Sequence, residues 1–116
     1  MANTLTLNSV NRDKKQLGGN YSEQWRVKAT VADQDAVALN DTLAMTMAVP
    51  GVALGDHVIS GGISVDLSDG TDQVTITYEV TAADVVTMYV HADLGEFAAD
   101  ALNNGVVKVL VGRPMW

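Results

Sequence analysis

The chain has no cysteine. That excludes disulfide staples, thiolate metal sites and a cysteine nucleophile. Positive charge is also scarce, with 7 Lys and Arg against 14 Asp and Glu for a net charge of −7. Nucleic acid is therefore not an expected partner, because binding to phosphate backbones needs a basic surface. Aromatic residues make up only 5%, which poorly supplies the stacking platforms that sheet surfaces use to hold sugars or single strands. Apolar stretches are broken by Thr46, Pro50 or Lys108, well short of the roughly 20 residues a membrane helix needs. The opening residues, Met1 to Thr6, lack a basic segment followed by a long apolar one. A soluble protein without export processing and with no membrane partner is expected.

Catalytic signatures are missing as well. There is no G-x-S-x-G, phosphate-binding loop, G-x-G-x-x-G or H-E-x-x-H, and no serine lies near a histidine in a pattern that favours nucleophilic catalysis. His57 follows Asp56, and His91 is close to Asp93 and Glu96; the latter trio is the nearest approach to metal-ligand spacing. Asp66, Asp69 and Asp72 surround an Asp69-Gly70 turn, but their spacing is not that of a calcium loop and no bidentate Glu closes it. Solvated turns and strand edges account for these groups, so neither a metal, a cofactor nor an enzymatic activity is expected.

What is present is alternation. The 116 residues, 47% of them apolar, suffice for one domain with its own core. Trp25, Val27, Ala29 and Val31 share one face of a predicted strand, and Leu43, Met45, Met47 and Val49 share a face of another. The clearest strand carries Val74, Ile76, Tyr78 and Val80 inward and Thr75, Thr77 and Glu79 outward. Further strands are expected near 3–10, 57–67, 85–91 and 106–111, with Gly61-Gly62 marking a bulge or a kink where two short strands meet. Asp69-Gly70 and Asn103-Asn104-Gly105 supply turn chemistry, and residues 36–39 read as a loop or a single helical turn. The pattern predicts an all-β domain of about seven short strands, either an antiparallel sandwich or a small barrel. Trp25, Tyr78 and Tyr89 read as core. The expected divisions are a strand and basic arm over 1–24, a β domain over 25–112 and a tail over 113–116.

Charge is unevenly spread. Residues 1–28 hold Arg12, Lys14, Lys15, Arg26 and Lys28 against Asp13 and Glu23, whereas residues 29–116 set Lys108 and Arg113 against twelve acids. A basic segment on an acidic body can dock on an acidic partner or on the body of a neighbouring copy. The apolar Met115-Trp116 ending needs a groove, on its own domain or on a partner. Arg12, Lys14, Lys15, Tyr21, Arg113 and Trp116 are accordingly the candidate partner contacts.

The stretch Val49-Pro50-Gly51-Val52-Ala53-Leu54-Gly55-Asp56, the following Val/Ile strand to Asp66-Leu67, and Val74-Thr75-Ile76-Thr77-Tyr78-Glu79-Val80-Thr81-Ala82-Ala83-Asp84-Val85-Val86-Thr87 resemble small head-associated proteins of tailed bacteriophages. The likeness covers roughly residues 25–113. It implies a capsid decoration, or cement, protein: a small β domain on the exterior of the virion that bridges major capsid subunits. A self-associated dimer or trimer and assembly in the host cytoplasm would fit that role. The resemblance carries over no catalytic residue and does not extend to the arm or the tail. A glycan-binding module of a phage fibre or baseplate is the alternative, and it requires a pair of exposed aromatic residues.

Overall fold

A computed structural model describes residues 3–14, 20–65 and 74–115. The chain is all-β. Its strands are β1 (Thr4–Asp13), β2 (Tyr21–Asp33), β3 (Thr42–Ala48), β4 (His57–Ile63), β5 (Val74–Ala82), β6 (Val85–Ala92) and β7 (Val106–Pro114). They form two antiparallel sheets, ordered β1-β2-β7-β4 and β3-β6-β5, and the fold is sandwich-like. Only β1–β2 and β5–β6 are partners consecutive in sequence; every other connection crosses between the sheets. Among the described residues no helix is long and apolar enough to cross a membrane.

Period-2 patterning builds the core. Trp25, Val27, Ala29 and Val31 of β2 are buried beside Val107, Val109 and Val111 of β7. Met45 and Met47 of β3 and Val86, Met88 and Val90 of β6 supply the opposing layer. Alternation places these side chains on one face of each pleated strand, and burying each valine or methionine contributes about 1.5–3 kcal/mol before chain entropy is counted. At β4 the register shifts between Val58 and Ser60, and Gly61 sits close to β5: a Cβ there would lie 2.6 Å from the Tyr78 ring.

One end of the sandwich is closed by loops that show no strand alternation. Val37 and Phe97 form an isolated bridge, with Val37, Phe97 and Leu102 all buried. Fully buried Gln34 ties the two loops together. Its Oε1 accepts from the Leu102 amide at 3.0 Å, and its Nε2 donates to the carbonyls of Asp35 and, at 3.2 Å, Ala98. The residues from 36 to 39 contain no helix.

Three expectations differ from the structure. The strand expected near 3–10 is present and runs on to Asp13, so the first residues of the expected arm are also paired to β2, and the expected boundary at 24/25 falls inside β2. The expected tail from 113 begins within β7, which runs to Pro114. Tyr89 stands on the outer face of its sheet and is only half-buried, because Val86, Met88 and Val90 take the inward register. The run from Val85 to Val90 carries apolar side chains on both faces, with Val85 and Tyr89 opposite Val86, Met88 and Val90, so alternation alone does not assign it a side.

Gln34→Leu leaves a buried amide and a carbonyl without partners, and should lower the unfolding free energy by about 1–3 kcal/mol in urea titrations. The Tyr78 hydroxyl is buried with no hydrogen-bond partner among the described residues, and burial pushes its phenol from 10.0 up to about 12. The unfolded chain therefore loses this proton first, so stability is full below pH 10 and declines as pH rises toward 12. Tyr78→Phe should be as stable as the parent or slightly more so at pH 8, and should show a shallower decline between those pH values.

Candidate functional site

The end of the sandwich opposite the Gln34 loops is built around Trp25. Its indole is fully buried, and Nε1 donates to the Pro50 carbonyl at 3.0 Å. Arg12 lies opposite Trp25 in the β1–β2 register, and Arg113 lies opposite Glu23 in the β2–β7 register. Pleating therefore directs both arginines to the side of the sheet that Trp25 occupies. Each guanidinium carbon sits 5.1 Å from the indole ring centroid, a cation–π distance contributing about 0.5–2 kcal/mol.

Carboxylates hold the two cations in place. Glu23 Oε2 accepts from Arg12 Nε at 3.0 Å and from its Nη2 at 2.8 Å. Asp56, whose side chain is only 4% exposed, takes a two-point bond from Arg113 through Nε at 3.0 Å and Nη2 at 2.9 Å. Arg113 Nη2 also donates to the Gly51 carbonyl at 2.9 Å. The hydrogen bonds to Asp56, opposed by burial and helped by the charges of Asp56 and Glu23, raise the Arg113 pKa above its ordinary value. Arg113 thus remains charged at any working pH.

The same bonds organise the loop from Pro50 to Asp56. Gly51 has φ +98, and a Cβ there would lie 2.5 Å from Arg12 Nη1. Its amide donates to Asp84 Oδ1 at 2.8 Å, which joins the loop to the β5–β6 hairpin. Asp56 Oδ2 accepts from the Ala53 amide at 2.9 Å, while the Asp56 amide donates to the Ala53 carbonyl at 3.0 Å. Leu54 is held at the tip of this closed turn, 71% exposed. Beside it a groove of about 670 Å³ is lined by Tyr21, Leu54, His57, Ile59, Tyr78 and Glu79, among others.

The candidate contacts are therefore distributed as follows. Arg12 and Arg113 are committed to Trp25, Glu23 and Asp56, with side chains one-third exposed. Lys14 is exposed, and Tyr21 borders the groove next to Leu54. Lys15 and Trp116 lie outside the described residues, as do Asp66, Asp69 and Asp72. Met115, 47% exposed, is anchored by its amide to the Asn20 carbonyl at 2.9 Å.

His91 meets Thr42 and Asp93. Its Nδ1 is 2.9 Å from Thr42 Oγ1, its Nε2 is 3.7 Å from Asp93 Oδ1, and Asp93 Oδ2 accepts from Thr75 at 2.5 Å. Among the described residues no group of three or more His, Asp or Glu is arranged to hold a metal ion. Trp25 is buried, and Tyr21 and Tyr89 belong to different sheets, so these three do not form a sugar-stacking pair.

Cross-strand register reveals a feature absent from the candidate residues. On the outer face of the four-stranded sheet, Ser9, Lys28, Lys108 and Gly62 align across β1, β2, β7 and β4. The next row is Asn11, Arg26, Leu110 and Ser60. All of these but Gly62 line a shallow groove of about 370 Å³, whose Arg26, Lys28 and Lys108 are exposed. The alternation of Arg26 and Lys28 signals a shared face, but only pairing brings Lys108 beside them. Comparison with protein-family models, curated proteins and solved structures found no match.

Asp56→Asn removes the charge facing Arg113 and weakens two bonds, and should lower the unfolding free energy by about 1–3 kcal/mol. Gly51→Ala should also destabilise, by at least about 1 kcal/mol, because it combines a left-handed backbone with a steric conflict at Arg12. Urea unfolding measures both.

Proposed function

We propose that the chain is a structural virion protein: a capsid decoration protein that binds the major capsid lattice from outside, self-associates there and stabilises the head. Leu54 carries this reading. A large apolar side chain fixed outward on a turn braced by Asp56 and Arg113 has already lost most of the freedom that binding would remove. With Ile59 and Met115, also exposed, and Tyr21 at the edge of the groove, it supplies an apolar docking end. The charged groups surrounding Trp25 serve to hold this end rigid, a task that involves no chemical turnover. Resemblance of the segments around 49–56 and 74–87 to phage head-associated proteins supports the same conclusion. A shell presents many equivalent sites, so modest individual contacts add up to particle stability.

Mixing the purified chain with undecorated phage heads should give saturable, stoichiometric binding and a higher particle melting temperature. Absence of binding at micromolar concentration overturns the proposal. Leu54→Asp should weaken binding about tenfold or more while leaving the melting temperature of the isolated chain unchanged within a few degrees. Equal binding by this variant would remove Leu54 from the docking end.

A further inference from the structure

We infer that the cationic outer face of the four-stranded sheet receives the acidic loop end of a second copy of this chain. This names the surfaces behind the self-association proposed above, yet the contact needs no capsid to form.

The face is electrostatically unfavourable by itself. Lys28 and Lys108 are direct cross-strand partners, and Arg26 is two residues from Lys28 on the same face. Like charges placed opposite each other on neighbouring strands destabilise a sheet. The chain has 14 acids, but none occupies the two rows of this face, where the flanking residues are Ser9, Asn11, Ser60 and Gly62. Among the described residues Arg26, Lys28 and Lys108 have no ion pair. Small flanking residues leave the cations accessible around an apolar floor that includes Leu110.

A complementary surface exists on the same molecule. The loop end contains Asp33, Asp35, Asp41, Asp93, Glu96 and Asp100, and no Lys or Arg occurs between Lys28 and Lys108. Backbone bonds join its two loops: the Asn40 amide donates to the Ala92 carbonyl at 2.9 Å, and the Ala92 amide donates to the Asp41 carbonyl at 3.2 Å. Leu39 and Leu94 flank this junction, 51% and 57% exposed. The loop end therefore offers leucines among carboxylates, and the sheet face offers a leucine-floored groove among cations. Charge and polarity match together, and a carboxylate seated between Lys28 and Lys108 would relieve their repulsion. Since the two patches differ, the contact is head-to-tail, and repetition yields either a ring or an open chain.

Sedimentation of the full chain across concentration and salt tests the contact. Self-association is expected in low salt and should weaken about tenfold or more in 1 M salt, where the Debye length falls to about 3 Å. Two charge-reversed variants are needed, Lys28→Glu with Lys108→Glu, and Asp93→Lys with Glu96→Lys. Each should be monomeric alone, while an equimolar mixture should re-associate, a rescue that loss of folding cannot imitate. A parent chain that stays monomeric in low salt overturns the inference, as does unaltered association of either variant alone. A fluorescent single-stranded oligonucleotide provides the competing occupant. If the parent binds it but does not self-associate, and the first variant loses that binding, the face belongs to nucleic acid and the inference fails.

Discussion

The stacking of Arg12 and Arg113 on Trp25 is the interaction on which this end of the molecule depends. Trp25 brings more apolar surface to the core than any valine beside it, but its indole N–H needs an acceptor when buried. Pro50 supplies that acceptor, and so fixes the β3–β4 connection against β2. The arginines cover the ring with planar cations, whose charge is tolerated because Glu23 and Asp56 accept their N–H groups. Removing one member leaves the others only partly satisfied, the usual property of a desolvated polar network. Elements distant in sequence are thereby joined: β1, the start of β2, the loop from 50 to 56, the β5–β6 hairpin and the end of β7.

The two ends of the sandwich solve the same closure problem with different chemistry. Near Trp25, charged groups pair with one another above an aromatic ring. At the far end neutral Gln34 binds backbone groups of both loops, and Phe97 and Leu102 fill the space beneath. Among the described residues the acids at that end form no ion pair with Lys or Arg. Since the molecule extends 43 Å along its long axis and about half that across it, unlike surfaces are well separated. An apolar knob, a cationic face and an acidic end can then serve different contacts on a single small domain, as the proposed adhesive role requires.

Much of the fold was readable from the order of residue types. Alternation identified the inward faces of β2, β3 and β5, since a strand repeats every two residues and apolar side chains seek the interior. Polar β1 gave a weaker signal: an edge strand is held largely by main-chain hydrogen bonds, which leave no mark on side-chain composition. The network that Arg12 and Arg113 join likewise left no local mark in the sequence. A basic residue near the end of a strand looks solvent-directed until register places an indole and a carboxylate beside it.

Sequence by itself determined the all-β class, the inward faces of the regular strands, the lack of thiol chemistry and the uneven division of charge. Those properties follow from composition and local periodicity. Tertiary structure alone decided the separation into sheets of four and three strands, the assembly of Arg12, Glu23, Trp25, Asp56 and Arg113 into one network, and the placing of Lys108 opposite Lys28. The reason is physical: sheet hydrogen bonds join backbones irrespective of distance along the chain, so the neighbours they create across strands are not encoded in any local pattern.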